Sequence, residues 1–143
     1  MEEIIEWHKK NPDTELHCFV DKKDILDVWA YSNKLFFHKI NDKKFLTMMA
    51  RARGLVSTAG FESVCEAMYL GKPVFMVPVE GHYEQFCNSR DAFKAGAGLY
   101  DNSFKISRFL TYLANYKENS NAFKDWVNLS REKTMAELTA ILN

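Results

Sequence analysis

The chain has 143 residues, 19 Lys plus Arg and 19 Asp plus Glu, for a formal net charge of zero. At 47% hydrophobic and 27% charged it can build a core, which excludes wholesale disorder and fits one domain over residues 1–143. The charge balance argues against a polybasic surface for nucleic acid or anionic lipid, and no apolar run approaches the ~18–20 residues of a membrane span. MEEIIEWHKK lacks the basic start and apolar stretch of a signal peptide. Cys18, Cys65 and Cys87 are odd in number and without CxxC spacing, as expected of free thiols in the cytoplasm.

Ile4, Ile5, Trp7 and His8 among Glu and Lys predict a short helix that stops before Asn11-Pro12. Leu16–Val20 is a compact strand, and residues 22–33 fit a helical turn or a loop equally. A second strand spans Lys34–Ile40, and Asp42 is placed to cap a helix carrying Phe45, Leu46, Met48 and Met49. Gly54–Thr58 predicts a strand, Phe61–Leu70 a helix stopped by Gly71, and Pro73–Val79 a strand covered on both faces. A helix from about His82 to Lys94, a strand at Gly98–Tyr100 and helices over 105–117 and 121–142 complete the chain. This alternation predicts an α/β class with a Rossmann-like parallel sheet flanked by helices. Such sheets bind ligands at the carboxyl ends of their strands, where the turns after Val20, at Thr58–Ser63 and at Val79–Gln85 fall.

The turn Ser57-Thr58-Ala59-Gly60-Phe61-Glu62-Ser63 puts small residues where a strand enters a helix. It suits a phosphate held on backbone amides, with Thr58 and Ser63 adding hydroxyls. It equally suits a tight turn capped by Thr58 or Ser63. Phe61, Val64, Cys65 and Met68 share a stripe expected to face the sheet. Glu66 is positioned for two vicinal hydroxyls of a ribose, or for solvent. Glu84 and Gln85 open the next helix, where an adjacent carboxylate and amide suit sugar hydroxyls, although a first-turn Glu is favoured by the helix dipole in any case. No GxGxxG or P-loop pattern occurs. His8, His17, His38 and His82 lack metal spacing, and the cysteines have no base partner.

Two blocks resemble a known family. Thr58-Ala59-Gly60-Phe61-Glu62-Ser63-Val64-Cys65-Glu66-Ala67 with Gly71-Lys72-Pro73, then Pro78 with Glu84-Gln85-Phe86 and Asn88, resemble the C-terminal, donor-binding half of GT-B-fold glycosyltransferases that use nucleotide-sugars. The resemblance implies a diphosphate on Gly60, Phe61 and Ser63 with Thr58 beside it, ribose on Glu66, the donor sugar on Glu84 and Gln85, and support from Asn88 and His82. A uracil base is expected near the turn after Val20 and the Lys34–Ile40 edge, with Phe37 and His38 as candidates. Relatives of the plant and macrolide type carry His at Thr58 and Asn at Glu62; Glu62 puts a negative charge beside the phosphate unless it points outward. No metal or cofactor is implied.

The resemblance also implies what is missing. The acceptor domain with its catalytic base is absent, as is the first central strand, so the chain is expected to be a fragment or a split half. Either Leu16–Val20 pairs with Gly54–Thr58, or another chain, such as a second copy in a homodimer, fills the gap. The implied activity is transfer from a UDP-sugar to an acceptor. The rival readings are a donor-binding subunit needing a separate acceptor-domain partner, and a nucleotide-sugar epimerase or hydrolase of the same fold.

Overall fold

The computed structural model describes residues 1–22, 25–118 and 120–142. The chain forms two compact units that divide at Thr47–Met48, inside one helix.

The first unit opens with α1 (Glu2–Lys10), acidic in its first turn and basic in its last, as the helix dipole favours. Asn11 ends it, donating Nδ2 to Trp7 O at 2.9 Å. Next come β1 (Leu16–Val20), β2 (Val28–Ala30) and β3 (Leu35–Lys39), in sheet order β1-β3-β2. β1 and β3 run parallel with Leu16 opposite Leu35 and Val20 opposite Lys39. The ambiguous segment therefore supplies a strand, and an antiparallel one, rather than a helical turn or loop. Trp29 decides this by stacking on Phe37, its register partner, at 5.2 Å. Lys23 and Asp24, part of that ambiguous segment, lie outside the described residues. In α2 (Asp42–Arg51) the capping oxygen is Asn41 Oδ1, which accepts from Lys44 N at 2.9 Å. Asp42 is instead the first helical residue, where its charge meets the positive end of the dipole.

The second unit contains β4 (Leu55–Ser57), α3 (Phe61–Tyr69), β5 (Val74–Met76), α4 (Tyr83–Lys94), β6 (Gly98–Tyr100), α5 (Ile106–Asn115) and α6 (Ser120–Leu142). Its sheet is wholly parallel in the order β4-β5-β6, the arrangement expected from strands alternating with helices. β5 is central, and Val74, Phe75 and Met76 are fully buried. The strand is shorter than the apolar run of Pro73–Val79: Val79 has already turned out to solvent. Phe75 stacks on Phe109 of α5 at 5.6 Å, and Val77, Val56, Leu99, Phe104, Tyr112 and Leu113 complete that core.

Within the first unit β1 bonds to β3, and within the second β4 bonds to β5 on one side. Leu55 N and Ser57 O both bond toward β5, so alternation turns the N–H and C=O of Val56 to the other side of β4.

Candidate functional site

Because β4, β5 and β6 are parallel, their carboxyl ends lie along one edge, at Ser57, Met76 and Tyr100. The turn after β4 has an unusual backbone. Ala59 is fully buried and adopts φ 65°, the left-handed region, at a cost of about 1–2 kcal/mol for a residue with a Cβ. Gly60 after it is extended, at φ −62° and ψ 132°. Three side chains hold the Ala59-Gly60 turn in place. Ser57 Oγ accepts from Ala59 N at 3.2 Å, Asn88 Nδ2 donates to Ala59 O at 3.3 Å, and Ser63 Oγ donates to Gly60 O at 3.1 Å. With the Ser63 proton so directed, the 3.2 Å contact between the two serines is a bond donated by Ser57.

Gly60 is the N-cap of α3, and among the described residues no side chain caps this end. Neither Thr58 nor Ser63 closes the turn as a cap, since the Ser63 bond goes to a carbonyl. The first-turn amides, Phe61 to Ser63, thus begin the helix without a side-chain acceptor. Thr58 and Glu62 are exposed and Glu66 is half-buried. Phe61 does not face the sheet: it is 66% exposed, and Val64 and Ala67 are the buried positions. Cys65 is half-buried, and burial followed by the nearby Glu66 carboxylate raises its thiol pKa. Burial pushes the Cys18 thiol up to about 11. Both stay protonated at neutral pH and are poor nucleophiles.

The turn after β5 closes on itself. His82 N bonds to Val79 O at 3.0 Å, and Val79 N donates to Gln85 Oε1 at 3.0 Å. His82 is the N-cap of α4, its Nδ1 accepting from Gln85 N at 3.5 Å, which leaves the ring hydrogen on Nε2. Glu84 beside it is exposed. The Gln85 carbonyl oxygen is thus committed to the loop while its NH2 group remains to donate. Gln85→Ala is expected to speed exchange of the Val79 amide about tenfold, the worth of one such bond, while Gln85→Glu keeps it slow. Equal rates in both variants, read by NMR, would show that this bond does not hold the loop.

Asn88 joins the two turns, because it lies on α4 and bonds to the backbone of the turn after β4. These bonds tie the turn after β4, through Ala59, Gly60 and Ser63, to the second turn of α4 in one network. Ser57 and Ala59 belong to that network and are missed by motif reading; a serine closing the strand was the only available signal. The third strand end holds another missed group. Asp101 accepts from Lys105 Nζ at 3.0 Å and Arg108 at 2.8 Å. The Lys105 hydrogen bond, against the opposing effect of burial, holds its carboxyl below the usual range. A hollow lined by Leu99, Arg108, Thr111, Tyr112 and Asn115 runs along α5 and shares no residue with either turn.

The two base candidates lie on β3 of the first unit, and both are enclosed. Phe37 is fully buried and stacked on Trp29, and His38 is 3% exposed between the rings of His17 and Phe19. Neither offers a free ring face to a nucleobase. Among the described residues no three His, Cys, Asp or Glu side chains converge to hold a metal ion. Among the described residues no helix is long and apolar enough to cross a membrane.

A family model described as glycosyl transferase family 1 matches residues 4–115. The chain belongs to this family. The match runs from α1 to the end of α5 and includes both turns. A crystal structure of the glycotransferase of kitacinnamycin superposes with a TM-score of 0.62 at 16% identity, over 92% of this chain. That likeness establishes the Rossmann-like α/β fold. This family 1 chain spans 34% of the length of that neighbour. No curated protein sequence matches it.

Proposed function

We propose that this family 1 chain is the donor-binding half of a GT-B glycosyltransferase and binds a nucleoside diphosphate sugar, UDP-linked, at the carboxyl edge of its second sheet. The observation that supports this reading is the Asn88–Ala59 bond, which ties the turn before α3 to the second turn of α4. The amides of Phe61 to Ser63, behind Gly60, take the diphosphate, and Thr58 adds its exposed hydroxyl. On binding, the Ser63 hydroxyl turns from Gly60 O to a diphosphate oxygen. Glu66 accepts from the ribose hydroxyls. Glu84 and the fixed NH2 group of Gln85 hold the sugar, with His82 and Asn88 supporting the two turns.

The chemistry assigned to these groups is electrostatic. Amides already aimed at the leaving diphosphate stabilise its charge as the glycosidic bond breaks, without reorganising at that moment. The general base that deprotonates the acceptor comes from an acceptor domain, on the remainder of a longer polypeptide or on a separate chain. Within the second unit β4 pairs on one side only, which favours one more strand on its other side.

Titration calorimetry with UDP, UMP and UDP-hexoses tests the donor assignment. UDP is expected to bind about tenfold more tightly than UMP, because the β-phosphate brings charge-assisted bonds to the α3 amides. A folded chain that shows no heat with millimolar UDP refutes the assignment.

A further inference from the structure

β1 and β3 bring two histidines together on one face of the first unit's sheet. His17 Nδ1 lies 2.9 Å from His38 Nε2, and His17 Nε2 lies 2.9 Å from Glu15 Oε1. The rings form a ladder, with Phe36 on His17 at 4.8 Å, His17 on His38 at 5.1 Å and His38 on Phe19 at 5.0 Å. Phe45 of α2 closes it edge-on against Phe19. Side-chain exposure falls from 64% at Glu15 to 29% at His17, and His38 is 3% exposed. At the inner end, His38 Nδ1 is buried and has no hydrogen-bond partner among the described residues.

One carboxylate dictates where the hydrogens of this chain sit. Ionised Glu15 only accepts, so His17 carries its hydrogen on Nε2. A neutral ring has one N–H, so His17 Nδ1 accepts and His38 Nε2 donates. His38 Nδ1 is then a bare lone pair. When the pair takes up one proton, His17 Nε2 and the shared position between the rings are already filled. The new hydrogen must reside on His38 Nδ1, whichever ring bears the charge. A buried acceptor that tolerated its isolation becomes a buried donor that finds no acceptor among the described residues, which is costly.

We propose that Glu15, His17 and His38 form a proton-operated switch that locks β1 to β3 when neutral and loosens that face when the pair takes up a proton. Burial, then Lys44, then His17 lower the His38 pKa from its usual value. These, with Glu15 reached through His17, are the titratable and charged groups facing it; Lys44 comes from α2, and Val28–Ala30 of β2 carry no charge. The unfolded chain therefore binds this proton more readily than the folded one. The stability tied to His38 is complete above about pH 6.5, the ordinary imidazole value, and falls as pH drops below it.

The test is nitrogen-resolved NMR of the imidazole rings in the full chain from pH 8 to pH 5, with amide exchange along the β1–β3 ladder. At pH 8 both histidines are expected to carry hydrogen on Nε2 alone. As pH falls, His38 Nδ1 should become protonated while ladder protection, corrected for intrinsic exchange, drops up to about tenfold per pH unit. In His38→Phe, which keeps a ring in the ladder, that pH dependence should vanish. Protonation of the pair with His38 Nδ1 left bare, or ladder protection that ignores it, overturns the proposal. Both outcomes are read on the wild-type chain, so they stand even if the variant fails to fold, and neither depends on nucleotide binding.

Discussion

Gly98→Ala is expected to cost about 4 kcal/mol of stability, while the same replacement two residues earlier, at Gly96, costs about 1 kcal/mol. Both glycines have positive φ, +149° at Gly98 and +82° at Gly96, so backbone freedom alone does not separate them. Their surroundings do. A Cβ on Gly96 would meet no atom within 4 Å, leaving only the left-handed cost. A Cβ on Gly98 would run into the backbone N, C and O of Val74, its register partner on β5. β5 is the central, fully buried strand, so Val74 cannot retreat without moving Phe75 and Met76. Strain in a region reserved for glycine and overpacking of a rigid strand each cost about 1–3 kcal/mol. Chemical denaturation of the two variants checks this, and equal destabilisation would mean that β6 does not press on β5 in this register.

Much of this architecture is legible in the sequence because it rests on local signals. Gly71 and the apolar run from Pro73 mark their elements through backbone and pattern rules that need no tertiary information. β2 is not legible, because three residues carry no period and only Trp29 on Phe37 makes them a strand. Asn41 and Asp42 are both good caps in adjacent positions, so composition alone does not choose between them. Phe61 fails for a geometric reason. Side chains in a helix lean toward its N-terminus, so the first residue covers the preceding turn and not the sheet.

The site divides along the same line. Its two turns are legible from motif spacing, whereas the bonds that shape them are not. In the pair Ala59-Gly60 the glycine is the natural choice for positive φ, yet Ala59 adopts it and Gly60 is extended. That inversion depends on Asn88, which is 29 residues away, and on Ser57. Gln85 likewise looks like a free sugar-binding amide until the structure shows its oxygen on Val79 N.

Glu66→Ala and Glu62→Gln are expected to change UDP affinity in opposite directions, although both carboxylates lie on α3, four residues apart. Under the proposed donor assignment, Glu66 accepts from ribose hydroxyls, and hydrogen bonds to a charged group contribute about 1.5–3 kcal/mol. Its removal should weaken UDP about 10–100-fold. The loss should shrink with 2′-deoxy-UDP, which offers Glu66 one hydroxyl fewer. Glu62 is exposed in the first turn, where its charge favours the helix start but repels a diphosphate on the same amides. Glu62→Gln should therefore tighten UDP up to about fivefold at low salt, the scale of a surface charge pair, and the gain should fade at high salt. The same variant should lower stability by about 0.3–1 kcal/mol, since the dipole loses its acidic partner. Calorimetry at two salt concentrations, with thermal unfolding beside it, reads all of these effects. Glu66→Ala binding UDP like the wild type would remove ribose from that residue. Glu62→Gln binding more weakly would place the diphosphate somewhere other than the start of α3. A charge that stabilises the empty helix and opposes its ligand marks a site where stability and affinity pull apart, and the two opposite signs on one helix make that conflict measurable.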